Sequence, residues 1–217
     1  MLTREEVRAF YNRFGALQDR QAFYEDIATR DLVAHANFEQ ARTVFEFGCG
    51  TGRFAADLLS HRLAENSSYT GCDLSATMVG LARGRLAQFG ARAQVQSTDG
   101  TLHLAASDAA FDRFVSNYVL DLLPSNDIVL LLAEAHRVLT ADGRLCLVSG
   151  THGVTAVSRF VSSAWARLHR LRPALVGGCR PIELLDFLDE HDWEVEYRNV
   201  VIGFGIPSEV VVGRKPF

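Results

Sequence analysis

The sequence predicts an α/β protein: a doubly wound, mostly parallel sheet with helices on both faces. Two observations lead there. From Val44 to Val148 short apolar runs alternate with longer segments of helical periodicity, the rhythm of parallel strands joined by helical crossovers. The first run, Val44-Phe45-Glu46-Phe47, stops at Gly48-Cys49-Gly50-Thr51-Gly52. Three glycines at every second position there let the main chain turn sharply and lie flat against a ligand.

The elements follow in order. Residues 3–40 read as two helices ahead of the first strand, an N-terminal helical cap over 1–40 with aromatic residues at Phe10, Tyr11, Phe14, Phe23 and Tyr24. After the glycine loop, Phe54, Leu58, Leu59 and Leu63 mark a helix that ends near Asn66-Ser67-Ser68. Tyr69–Asp73 is the second strand. Ser75 is an N-cap for a helix carrying Met78, Val79, Leu81, Ala82 and Leu86 on one side, closed by Gly90. Ala93–Gln96 is a third strand, Phe111–Ser116 a fourth and Arg144–Val148 a fifth. Between the last two, Ile128–Leu139 is a helix opened by Pro124-Ser125-Asn126-Asp127. A helix over 182–191 and strands at Trp193–Tyr197 and Val210–Val212 close the chain. Counted together these make a Rossmann-like sheet of seven strands, the last one antiparallel.

Hydrophobic residues are 48% of 217, enough for one well-buried core and few for two. One domain over 1–217 is therefore expected: the cap at 1–40, a ligand-binding core at 41–150, an insertion at 151–181, and a C-terminal helix and strands at 182–217. A net charge of −4 gives no basic footprint for nucleic acid. No apolar run has the length of a membrane span, and the first residues carry acids where a secretory leader needs an apolar core. A cytoplasmic location is expected. Cys49, Cys72, Cys146 and Cys179 lack metal-ligand spacing, so no metal is expected.

Ligands of open α/β sheets sit outside the carboxyl ends of the strands. Polar residues gather at those ends: Glu46 and Gly48, then Asp73, then Asp99-Gly100, then Asn117-Tyr118. Asp73 follows Gly52 by 21 residues, near the spacing at which an acid accepts hydrogen bonds from ribose hydroxyls. A carboxylate suits that task because it accepts from two adjacent hydroxyls at once. A dinucleotide fingerprint needs a small residue where this chain has Arg53, and fails there.

The E-x-G-x-G-x-G form from Glu46 to Gly52, with the acids in order behind it, resembles the class I S-adenosylmethionine-dependent methyltransferases over roughly residues 40–150. The resemblance is to small-molecule enzymes, including quinone-type carbon methyltransferases. It implies S-adenosylmethionine as cofactor and S-adenosylhomocysteine as product. It places Gly48, Cys49, Gly50 and Gly52 along the methionine portion, with Glu46 anchoring the turn or lying near the ammonium. It gives Asp73 the ribose, Leu74 and Met78 the adenine faces, and Asp99 with Gly100 the adenine edge. Asn117 lines the cofactor, and Tyr11 of a Tyr11-Asn12 pair either approaches the sulfonium or only packs.

Catalysis in such a site is mainly positioning, so no base is assigned; His152, His103 and Tyr11 are candidates, with Asp121 behind them. Thr151 to Pro181 holds no carboxylate but has Arg159, Arg167, Arg170, Arg172 and Arg180, favouring an anionic ligand. There Val157, Phe160, Val161, Ala164, Trp165, Leu168 and Leu171 recur at helical spacing. Core packing is the ordinary explanation of such a stripe. A lid over an apolar acceptor, a peripheral membrane contact and a dimer face are the others, which leaves monomer and homodimer open. The expected function is methyl transfer to a small hydrophobic or acidic molecule. The alternatives are an NAD-dependent oxidoreductase, disfavoured by Arg53, and a non-catalytic S-adenosylmethionine-binding module.

Overall fold

Side chains alternate across the strands, and that alternation sets the layers. In the computed structural model, which describes residues 1–188 and 193–215, Val44 leaves β1 (Thr43–Phe47) on one face while Phe45 and Phe47 leave on the other. Val115 and Phe114 divide in the same way on β4 (Phe111–Asn117), and Val148 and Leu147 on β5 (Leu139–Gly150). The face with Val44 packs against Leu32 of α2 (Ala22–His35), Leu58 of α3 (Arg53–His61) and Val79 of α4 (Ala76–Leu86). The face with Phe45 packs against Ile128, Leu131 and Leu132 of α5 (Ser125–Val138).

With β2 (Ser68–Asp73), β3 (Ala93–Ser97), β6 (Glu194–Gly203) and β7 (Ile206–Arg214), the sheet runs β3-β2-β1-β4-β5-β7-β6. The first five strands are parallel, and β7 is antiparallel to both neighbours. The expected Rossmann-like architecture is the one observed. Strand order reverses between β1 and β4, so their carboxyl ends, carrying Glu46 and Asn117, splay apart into the crevice where such sheets take ligands.

α1 (Arg4–Phe14) lies across that crevice. Its Asn12 Oδ1 accepts from Ser75 Oγ and from the Thr77 amide at the start of α4, while Arg4 pairs with Asp127 of α5 at 2.9 Å. One short helix thus bridges the two layers over the strand ends. A capping box of Thr3 and Glu6 starts it.

Several boundaries differ from expectation. Leu139 leaves the helix and begins β5, pairing with Phe111, because a fully buried leucine there continues the sheet's apolar face. Of the helix expected over 182–191, α7 (Leu185–Leu188) is observed, and His191 lies outside the described residues.

The larger correction concerns α6 (Ala156–Leu171): most of its apolar stripe faces solvent, with Val157 67%, Phe160 76% and Leu171 73% exposed, while Val161 and Trp165 are half-buried and Trp165 Nε1 donates to the Cys179 carbonyl at 2.9 Å. Ser158, Ser162 and His169 are the buried residues. The cause is a close backbone approach. The loop before α6 runs so near that a Cβ on Gly153 would stand 2.0 Å from the Ser158 carbonyl carbon, and the Gly153 amide donates to Ser162 Oγ at 3.0 Å. Only small polar side chains fit between them. Among the described residues no helix is long and apolar enough to cross a membrane.

Candidate active site

The glycine loop is sewn to the end of β2. The Gly48 and Cys49 amides both donate to the Cys72 carbonyl, at 2.9 and 3.0 Å, and the Gly50 amide donates to Asp73 Oδ2 at 2.9 Å. Asp73 Oδ1 accepts from the Ser75 amide at 2.8 Å. A carboxylate offers about four lone-pair sites, and the amides of Ser75, Gly50 and Leu74 do not fill them, which leaves capacity for a ligand above the strand end. Burial raises the Asp73 pKa, against the lowering effect of the Ser75 and Gly50 amides.

Glu46 is buried beneath the loop, accepting from Tyr69 Oη at 2.5 Å and from Asn117 Nδ2 at 3.4 Å. Burial pushes its pKa up to about 7 despite those two donors. Tyr118, which follows Asn117, takes a φ of +56°, rare for a side chain of its size, and its hydroxyl lies 2.9 Å from Ser208 Oγ. Such backbone strain collects at functional sites and persists where surrounding bonds hold it.

A second set of contacts brings Gln18 over the loop. Arg85 of α4 donates to Asp19 at 2.6 Å and to the Thr51 carbonyl at 3.1 Å, while Thr51 Oγ1 donates to Asp19 at 2.6 Å. This clamps the 3₁₀ turn Gly15–Gln21 against the loop. Arg53, the residue that breaks the dinucleotide pattern, binds Asp26 and pairs with Glu25 at 3.0 Å, tying α3 to α2.

Two adjoining cavities of about 420 and 220 Å³ flank the loop and share Gln18, Gly48, Gly50, Asn117 and Tyr118 in their walls. The larger also takes in Glu46 and Cys49; the smaller takes in Tyr11, Asp73, Leu74 and Gly100. Among the described residues, Gln18 Oε1 and Asn117 Oδ1 are buried with no partner, so the walls present polar atoms that a bound molecule can satisfy. The remaining residues named from the sequence lie off both linings. Gly52 starts α3, and Met78 is packed at 1% exposure. Asp99 is exposed, its carboxylate taken up by the Thr101 amide at 2.8 Å.

Neither histidine candidate is brought to the cavities. His103 is a surface side chain 3.2 Å from Glu134, and His152 is exposed. A helical sequence pattern says nothing about which loops converge, so a position just past a strand overstated His152. A further buried titratable group, outside both linings, is Asp121, on the 3₁₀ turn after β4. It is 1% exposed, its Oδ1 has no partner among the described residues, and its charge acts on Tyr11, Tyr24 and Tyr118. Burial lifts its pKa to about 7, against hydrogen bonding from the Gly150 backbone.

These raised carboxyls have a consequence for stability. Glu46 and Asp121 titrate near 7 in the fold and near 4 in an unfolded chain, so the native state binds more protons between those values. The stability these two groups contribute is therefore full below pH 4, falls as pH rises toward 7, and levels off above it. Each group contributes a slope of at most about 1.4 kcal/mol per pH unit. Urea unfolding from pH 5 to 8 is expected to show this decline, and Glu46→Gln to flatten it. A variant whose pH slope equals that of the parent would place the titration elsewhere.

Comparison with known proteins adds the following. Residues 44–143 match the family described as a methyltransferase domain. A trans-aconitate 2-methyltransferase of Azoarcus sp. (strain BH72) is 35% identical over 120 residues, covering 55% of this chain and 44% of that one. The chain thus spans less than half of that relative's length. The YcgJ protein of Bacillus subtilis superposes with a TM-score of 0.67 at 16% identity, over 88% of this chain and 99% of that one. Geranyl diphosphate C-methyltransferase of Streptomyces coelicolor A3(2), solved with Mg2+, geranyl diphosphate and S-adenosyl-L-homocysteine, superposes with a TM-score of 0.66 at 13% identity. There the overlap is 88% of this chain and 79% of the other. The two structural likenesses are likenesses of fold.

Proposed function

We propose that this chain is a class I S-adenosylmethionine-dependent methyltransferase, which binds S-adenosylmethionine across the glycine loop and transfers its methyl group to a small-molecule acceptor. The observation that carries the reading is Asp73: it fixes the loop through the Gly50 amide and keeps lone pairs free at the cavity wall. The donor and acceptor pattern fits the amino-acid-tailed nucleoside. Leu74 and Gly100 offer apolar surface beside Asp73 for the base, and the unpartnered amide oxygens of Gln18 and Asn117 suit an ammonium group. The bound cofactor supplies a sulfonium methyl already activated for in-line displacement.

What the chain's residues do is therefore chiefly orientation, worth roughly 7–11 kcal/mol when reactants are held in line. Tyr11, Val119 and Leu122 wall the smaller cavity, and on this reading they are surfaces an acceptor meets. A hydroxyl or amine acceptor calls for a base, an assistance of about 10² to 10⁴ in rate, but His103, His152 and the buried Asp121 all lie outside the two cavity linings. A carboxylate acceptor, such as the relative's name implies for that enzyme, needs none.

Titration calorimetry with S-adenosylhomocysteine and with NAD tests the cofactor. Heat with the first and none with the second is expected; the reverse overturns the reading. Labelled methyl transfer over a panel of small carboxylic acids, phenols and prenyl compounds then tests turnover. Tight S-adenosylhomocysteine binding with no product from any of them favours a binding module.

A further inference from the structure

The outward face of α6 is the largest feature that the cavity chemistry leaves unexplained. Val157, Phe160 and Leu171 stand in solvent, with Val154 before the helix and Leu175 after it also exposed. A neighbouring element extends the patch: Gly205 of the β6–β7 turn lies within reach of Val161 and Val157, which sets the exposed Phe204 beside α6. Phe23 stacks edge-on against Phe204 with ring centroids 5.3 Å apart.

Charge is segregated onto the same element. Arg159, Arg167, Arg170 and Arg172 are exposed on or just after α6, and no carboxylate occurs from Thr151 to Ile182, in a chain whose net charge is −4. At 100° per residue the exposed apolar side chains form one sector, with Arg167 at its edge, Arg170 and Arg159 further round on the same side, and the buried serines on the other. A two-fold contact between copies would crowd these arginines against one another, whereas an anionic headgroup layer neutralises them while the aromatic and aliphatic tips enter the acyl boundary.

We propose that α6, with the Phe204 turn and Phe23, is a docking face on which this protein lies in the plane of an anionic lipid bilayer. The contact is shallow: a helix of 16 residues lies in the interface and does not span. It stands independently of the cofactor reading, since it uses none of the cavity residues.

Sedimentation with phosphatidylcholine vesicles containing about 30% phosphatidylglycerol, against pure phosphatidylcholine, is the test. Binding to the mixed vesicles is expected, weakened at least about tenfold in 1 M salt, where screening reaches only about 3 Å. Arg167→Glu with Arg170→Glu is expected to weaken it by about 30-fold or more, at roughly fivefold per arginine lost. Phe160→Asp with Leu171→Asp is expected to remove binding while thermal melts and S-adenosylhomocysteine affinity stay unchanged, because both positions are solvent-exposed. The proposal is overturned by equal sedimentation of parent and variants, or by no binding to anionic vesicles. A dimer in sedimentation equilibrium that Phe160→Asp with Leu171→Asp dissolves also overturns it, assigning the face to a second copy.

Discussion

Gly50→Val is expected to weaken S-adenosylhomocysteine binding by on the order of 10² to 10⁴, leaving no measurable heat in a titration of ordinary sensitivity. Gly50 has a φ of +52°, in the left-handed region that a β-branched residue reaches only under strain. A Cβ there would approach the Gln18 amide at 3.0 to 3.4 Å, inside the wall common to both cavities. If valine relaxes toward negative φ instead, the amide swings away from Asp73 and the loop loses its tie to β2. Strain of roughly 1–3 kcal/mol and a lost charge-assisted hydrogen bond of about 1.5–3 kcal/mol together give the stated range. The strands and helices that build the core lie outside the loop, so far-ultraviolet circular dichroism should be preserved. A folded variant that binds the ligand as tightly as the parent would mean that the main chain at 48–52 does not face it.

The parts of this site that the sequence discloses are those made by neighbours in the chain. Glu46, the glycines and the start of α3 follow one another directly, and Asp73 sits one crossover away at a spacing the parallel fold enforces. Strand alternation discloses the two core faces for the same reason: a period of two needs no partner to be read. Gln18 and Glu25 show the opposite case. Gln18 reaches the loop because Arg85 and Thr51 hold Asp19, contacts spanning 66 and 32 residues of chain, and no local pattern encodes them.

Arg53 is instructive on both counts. Its presence is at odds with a dinucleotide fingerprint, while its positive role, pairing with Glu25 and Asp26, required knowing that α2 lies beside α3. The stripe on α6 was legible as a stripe, but periodicity carries no information about which side meets the protein. Backbone contact at Gly153 decided that, and it turned the serines inward.

Asp73→Ala is expected to weaken S-adenosylhomocysteine binding by about 10- to 150-fold, the range of charged hydrogen bonds lost at 1.5–3 kcal/mol. The carboxylate holds the Gly50 and Ser75 amides and, on the proposed reading, also grips the sugar; alanine removes both. Asp73→Asn separates them. Its single amide oxygen serves one backbone donor and its NH₂ opposes the other, so the loop tie is half kept while the negative charge is gone. A loss for Asn close to that for Ala would assign the effect to charge and ribose recognition; a loss confined to Ala would assign it to loop anchoring.

The pH profile gives an independent check with a defined sign. Burial raises the Asp73 pKa, and on the proposed reading the grip needs the ionised carboxylate. It fails on acidification at a pH above the ordinary carboxylate range, as the proton occupies the oxygens that accept from the sugar. Affinity measured from pH 8 down to 4 should fall in the parent and change less in Asp73→Ala, which has no such group left to titrate. An identical acid dependence in both proteins would move the grip to another carboxyl, with Glu46 the nearest buried one beneath the same loop.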